Sequence, residues 1–80
     1  MKARITVTLK NGVLDPQGQA IEGALAGLGF SGLGTVRQGK IFDVELDECD
    51  KDTAVKLLSE MCEKLLANTV IEDYTVRITS

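Results

Sequence analysis

From Ala3 to Leu9 the chain alternates strictly: Ala3, Ile5, Val7 and Leu9 are apolar, while Arg4, Thr6 and Thr8 between them are not. Successive side chains of a strand point to opposite faces, so a period of two rich in β-branched residues predicts a half-buried strand. The alternation returns at the far end in Tyr74-Thr75-Val76-Arg77-Ile78. The chain is therefore expected to begin and end as strands. The pattern does not distinguish a last strand paired within its own chain from one paired with a neighbour.

Between these strands, Asn11-Gly12 breaks the first run and Asp15-Pro16 predicts a helix start. An aspartate at the N-cap accepts from free backbone N–H groups, and a proline at the first helical position forfeits no needed donor. Ile21, Leu25 and Leu28 follow at helical spacing with Ala20 and Ala24 beside them, and Gly29 suits the residue after the helix. Gly23 and Gly27 inside this helix each cost about 1 kcal/mol relative to alanine. They predict a close backbone approach, to the sheet in preference to another subunit. Leu33–Arg37 and Lys40–Asp47, punctuated by Gln38-Gly39, predict a hairpin with Phe42, Val44 and Leu46 on one face of its second arm. A second helix, capped by Asp50 or Asp52, carries the stripe Ala54, Leu57, Leu58, Met61, Leu65 and Leu66, and Asn68 suits a left-handed end.

The predicted order is β-α-β-β-α-β over a single domain, residues 1–80. Right-handed crossovers place both helices on one face of a four-stranded antiparallel sheet, an α+β two-layer sandwich of ferredoxin-like order. A chain of 80 residues buries only about 60–70% of the surface its unfolded form exposes, and domains this small often add a disulfide, a metal or a partner subunit. There is no histidine, and the only cysteines are Cys49, among Asp47, Glu48 and Asp50, and Cys62, among Leu58, Met61 and Leu65. Acidic neighbours raise a thiol pKa, so Cys49 is not activated, and Cys62 reads as a small buried thiol. With no metal or redox role supported, the chain is expected to be oligomeric.

The start "MKARITVTL" is not a signal peptide, and no run approaches the roughly 20 apolar residues of a membrane span. A cytoplasmic protein without a membrane role is expected. A net charge of −3 argues against nucleic acid as a partner.

The stretch "LKNGVLDPQGQAI" (residues 9–21) raises the question of chemistry. As a phosphate loop it fails, because Lys10 precedes the turn and the Asp15 carboxylate stands where the anion would go. Without histidine, no Ser-His or Cys-His nucleophile pair exists. The carboxylates follow solvated faces, and Arg4, Arg37, Lys40 and Arg77 sit where strands expose charge anyway. An RNA-recognition module needs exposed aromatics on its middle strands, and only Phe30, Phe42 and Tyr74 are present. The residues thus point to a small non-catalytic domain, with no catalytic, cofactor-binding or metal site.

Three blocks, "LKNGVLDPQGQAIEGALAGLGF" (9–30), "VRQGKIFDVEL" (36–46) and "MCEKLLANTVIEDYTV" (61–76), give the chain a further reading. In this order and at full length they resemble the PurS family, small subunits of bacterial and archaeal phosphoribosylformylglycinamidine (FGAM) synthase. One departure is Thr69, where the family favours proline. The resemblance implies a bridging, non-catalytic subunit of a complex that converts formylglycinamide ribonucleotide to the formylglycinamidine with ATP and glutamine, in de novo purine synthesis. It implies three partners: the PurL synthetase subunit, the PurQ glutaminase subunit and a second copy of the chain. No cofactor is expected on this chain, ATP and Mg²⁺ being used by the complex. Lys10, Asp15, Gln17 and Gly18, with Arg37, Gln38, Gly39 and Lys40 at the hairpin tip, are then candidate partner contacts. The alternative for Asp15 to Gly18 is a purely structural helix start. The rival for the whole chain is an ACT-like small-molecule-binding regulatory module.

Overall fold

The computed structural model describes all 80 residues. Strand β1 (Lys2–Leu9) is the middle of a three-stranded antiparallel sheet ordered β2-β1-β3, with β2 (Gly39–Glu45) and β3 (Glu72–Ile78) on its flanks. The predicted alternation decides the register. Ala3 stands opposite Val44 and Ile78, Ile5 opposite Phe42 and Val76, and Val7 opposite Lys40 and Tyr74. One face is thereby apolar, and helix α2 (Lys51–Met61) covers it with Ala54 and Leu58, both fully buried. The other face carries Arg4, paired with Asp43 at 2.9 Å in the open, where such a pair adds little.

Asp50 caps α2, accepting from Thr53 N at 3.1 Å and from Thr53 Oγ1 at 2.7 Å. The helix ends in a π-helical turn, Cys62–Leu66, in which Ala67 N donates to Cys62 O at 3.0 Å. A wider last turn shifts the side-chain phase. Cys62 stays fully buried in the core, while Leu65, on the predicted stripe, is 83% exposed. Asn68 is not left-handed, since no residue other than glycine has a positive φ. It makes a turn instead, its Oδ1 accepting from Val70 N at 3.2 Å and its carbonyl from Ile71 N and Glu72 N.

The predicted four-stranded, ferredoxin-like sandwich is corrected on two points. Residues 33–37 form no strand, so the hairpin is absent and the order is β-α-β-α-β. The outer edge of β2 stays free, but the segment turns aside to the base of the arm, where Val36 N donates to Glu22 and Gln38 N to Asp15. The two helices also do not share one face of the sheet. Helix α1 (Pro16–Gly27) makes no substantial packing contact with sheet or α2, and Gly18 is its only buried residue. Gly29, at φ +97°, ends it in the left-handed conformation predicted from sequence. Neither Gly23 nor Gly27 has an atom within 4 Å of a built Cβ, which overturns the predicted approach to the sheet. The last strand pairs with β1 of its own chain.

The molecule is thus a body, formed by the sheet and α2, and an arm of residues 16–36. Its radius of gyration is 16.0 Å, with extents of 49 × 26 × 15 Å, whereas a compact chain of this length has about 12 Å. Leu28 and Phe30, 75% and 59% exposed, lie near the arm's tip.

Leu58→Ala should cost about 2–5 kcal/mol in denaturant unfolding, since it opens a cavity at the centre of the body. Burial pushes the Cys62 thiol above its ordinary value. A maleimide or disulfide reagent should therefore label partly exposed Cys49 in the native protein and reach Cys62 only on global unfolding.

Candidate interface at the base of the arm

The arm leaves the body after β1 and returns to it just before β2, so the stretch around Asp15 and the one around Gln38 meet. Asp15 caps α1 and is only 9% exposed. Its Oδ1 accepts from Gly18 N at 2.9 Å, and its Oδ2 from Gln38 N at 2.8 Å. One carboxylate thus serves as helix cap and as anchor for the returning chain. Above all the Gln38 N–H, then the Gly18 N–H, hold the Asp15 carboxyl below the usual aspartate range. Partial burial opposes that shift, and the Arg37 charge adds to it.

Arg37 Nη2 donates to Leu9 O at 2.6 Å and to Lys10 O at 3.1 Å, tying the end of β1 to the same crossing. Hydrogen bonds from a charged donor are stronger than neutral ones. Glu22 of α1 accepts from Val36 N on the returning chain. Gly18 is required for close approach, because a built Cβ would collide with the Val36 carbonyl and lie 2.9 Å from Asp15 Oδ2. Gly39 likewise lets β2 approach β1, a Cβ there lying 2.6 Å from Val7 O.

All eight residues proposed from sequence therefore fall in one region. Asp15, Gln17, Gln38, Gly39 and Lys40 line a cleft of about 250 Å³ with Val7, Thr8, Leu9 and Glu72. Gly18 is bonded to Asp15, and Lys10 lies alongside, its carbonyl accepting from Arg37 and its Nζ 3.6 Å from Asp73. Asp15, Gly18 and Arg37 are engaged within the chain, whereas the Gln17 and Gln38 side chains make no hydrogen bond and are exposed. Sequence reasoning missed Glu22 and Glu72. Glu22 reads as an ordinary helix-surface carboxylate, and only the returning chain shows its use. Glu72 accepts from Asn68 N at 2.7 Å and approaches Lys40 Nζ at 3.8 Å.

The site offers shape and polar groups without a reacting centre. No three of the chain's Cys, Asp and Glu side chains are gathered as metal ligands. The cleft's charged groups, Asp15, Lys40 and Glu72, are occupied in holding the chain together.

Residues 2–80 match the sequence profile described as "PurS: Phosphoribosylformylglycinamidine (FGAM) synthase". The chain belongs to the PurS family. Among PurS relatives, the FGAM synthase subunit PurS of Mycobacterium leprae is 49% identical over 75 residues, 94% of this chain and 91% of its own length. The crystal structure of Methanocaldococcus jannaschii PurS superposes with a TM-score of 0.89 at 39% identity, covering 99% of this chain and 95% of that one. That protein is described as one of the subunits of formylglycinamide ribonucleotide amidotransferase in the purine biosynthetic pathway. A chain in the structure of PurLQS from Thermotoga maritima matches with a TM-score of 0.86 at 34% identity, covering 95% and 93% of the two chains. The PurS assignment displaces the ligand-sensing alternative.

Two outcomes follow from the base of the arm. Gly18→Ala should destabilise the protein by about 1–3 kcal/mol, the range for a buried hydrogen-bonding group left unsatisfied, as measured by urea unfolding. Because the Asp15 pKa is lower folded than unfolded, its stabilisation is present above the ordinary aspartate value and is lost as pH falls through the depressed one. Acid titration of stability should show this loss in the parent, and Asp15→Asn should flatten that part of the profile.

Proposed function

We propose that this chain is the bridging, non-catalytic subunit of a glutamine-dependent FGAM synthase, joining a PurL-type synthetase to a PurQ-type glutaminase. The observation that carries this reading is the full-length likeness to the PurS family, which includes a chain of the PurLQS structure from Thermotoga maritima. The reaction is the conversion of formylglycinamide ribonucleotide to the formylglycinamidine, in de novo purine synthesis. ATP and Mg²⁺ act on the synthetase subunit, the glutaminase releases ammonia with its own nucleophile, and this chain supplies neither. A chain without histidine suits that division of labour.

Ammonia must cross between two active sites without escaping to water, so the subunit's contribution is to hold them in fixed relation. The base of the arm supplies the polar contact surface, with Lys10, Asp15, Gln17, Gly18, Arg37, Gln38, Gly39 and Lys40 at or beside it. Self-association is part of the same reading. The exposed apolar residues of the arm and an apolar groove of about 440 Å³ between β2 and α2, lined by Val44, Leu57, Met61, Leu65 and Leu66, support it. The free outer edge of β2 would let a second copy add the fourth strand of the predicted sheet. No helix is long and apolar enough to cross a membrane, and a cytoplasmic location belongs to the same reading, since it suits a role in purine synthesis.

Reconstitution tests the reading. Synthetase and glutaminase subunits should make product from glutamine only when this chain is added, while the ammonia-driven rate should change much less. Absence of both a complex and an effect on the glutamine-driven rate would refute it. Gln17→Lys, at an exposed side chain with no partner in its own chain, should weaken complex formation about ten-fold, or about 1.4 kcal/mol, with the circular dichroism unchanged.

A further inference from the structure

The arm is attached in an unusual way. The core cluster of Ala3, Ile5, Val7, Leu58, Cys62 and Ala67, with the apolar residues packed against it, contains no residue of 16–36. What fixes the base of the arm is polar. Asp15 holds Gly18 N and Gln38 N, Glu22 holds Val36 N, and Arg37 holds Leu9 O and Lys10 O. All of these bonds lie at one crossing, where the chain enters and leaves the arm.

We infer that Asp15, Glu22 and Arg37 form a clasp that sets the arm's direction, and that opening it loosens both limbs of the arm, residues 16–36, while the sheet and α2 stay folded. Local opening costs least where few apolar contacts must be broken, and no residue of the buried core has to be exposed here. Each carboxylate oxygen of Asp15 serves one backbone donor, so the clasp has no redundancy at that residue. Its three side chains lie on the entry segment, on α1 and on the return segment, so the path of the chain on both sides is constrained together. Asp15, Glu22 and Arg37 are positioning residues. Loosening the arm would let Leu28 and Phe30 move relative to the body. Only the consequence for the spacing of partners rests on the bridging role, whereas the hinge itself is a property of the isolated chain.

Amide hydrogen exchange on the full-length protein without partners tests the hinge, with the oligomeric state of each variant matched to the parent's. Asp15→Asn keeps the shape but leaves one acceptor oxygen where two are used. The amides of Gly18, Val36 and Gln38 should then exchange about ten-fold faster or more, while those of Ile5 and Val7 keep their protection. Glu22→Gln, which retains a carbonyl acceptor, should preserve Val36 protection that Glu22→Ala loses. Should Asp15→Asn fail to fold, Glu22→Ala and Arg37→Gln provide the same reading with Asp15 intact. Unchanged Val36 and Gln38 exchange across the folded variants would overturn the clasp. So would a rise in Ile5 and Val7 exchange equal to that of the arm, since arm and body would then open as one cooperative unit.

Discussion

The pairing of β1 with a neighbour on each side organises everything else in this molecule. Because Ala3, Ile5 and Val7 all point to one face, the residues opposite them in β2 and β3 must do so too, and a single apolar surface results. Helix α2 and the π-helical turn that ends it cover that surface through Ala54, Leu58 and Cys62. A slip of one residue would turn every one of these side chains into water, which is why a strand buried on one face specifies its register strongly. Residues 33–37 do not extend the sheet at the free outer edge of β2, because the amides of Val36 and Gln38 go to Glu22 and Asp15 at the base of the arm. The missing fourth strand and the projecting arm go together.

The arm shows a different physical logic. Where the body is held by buried apolar area, the arm is held by charged side chains meeting backbone groups. Asp15 sits at the centre of that arrangement, capping a helix and catching the returning chain with the same carboxylate. Gly18 permits it, since any side chain there would occupy the space of the Val36 carbonyl. Apolar residues left in water on the arm and beside α2 suit a subunit whose surface is completed in an assembly, as membership of the PurS family leads one to expect.

Much of this was legible from local pattern. Strands β1 and β3, the Asp15 and Asp50 caps, the helix end at Gly29 and the buried Cys62 each depend on residues a few positions apart, and local chemistry decided them. The two stretches that meet at the base of the arm were also readable as turns, because Asp15-Pro16-Gln17-Gly18 and Arg37-Gln38-Gly39-Lys40 are turn-forming and polar and flank apolar runs. The hairpin failed because Leu33–Arg37 has strand-like residues, yet its Val36 amide goes to Glu22 of α1 and not to β2. Glu22 was invisible for the opposite reason, its partner being an amide fourteen positions away.

By itself, the sequence determined strands β1, β2 and β3 and both helices, the apolar faces they present, the absence of a nucleophile-base pair and the family likeness. All of these are written in residue type and short-range spacing. Only the tertiary structure decided that β1 lies between β2 and β3, that α1 stands away from the sheet, and that the two polar stretches join through Asp15 and Arg37. Those outcomes depend on which distant strands meet and on how far a carboxylate or guanidinium reaches across the chain, and no local spacing encodes either.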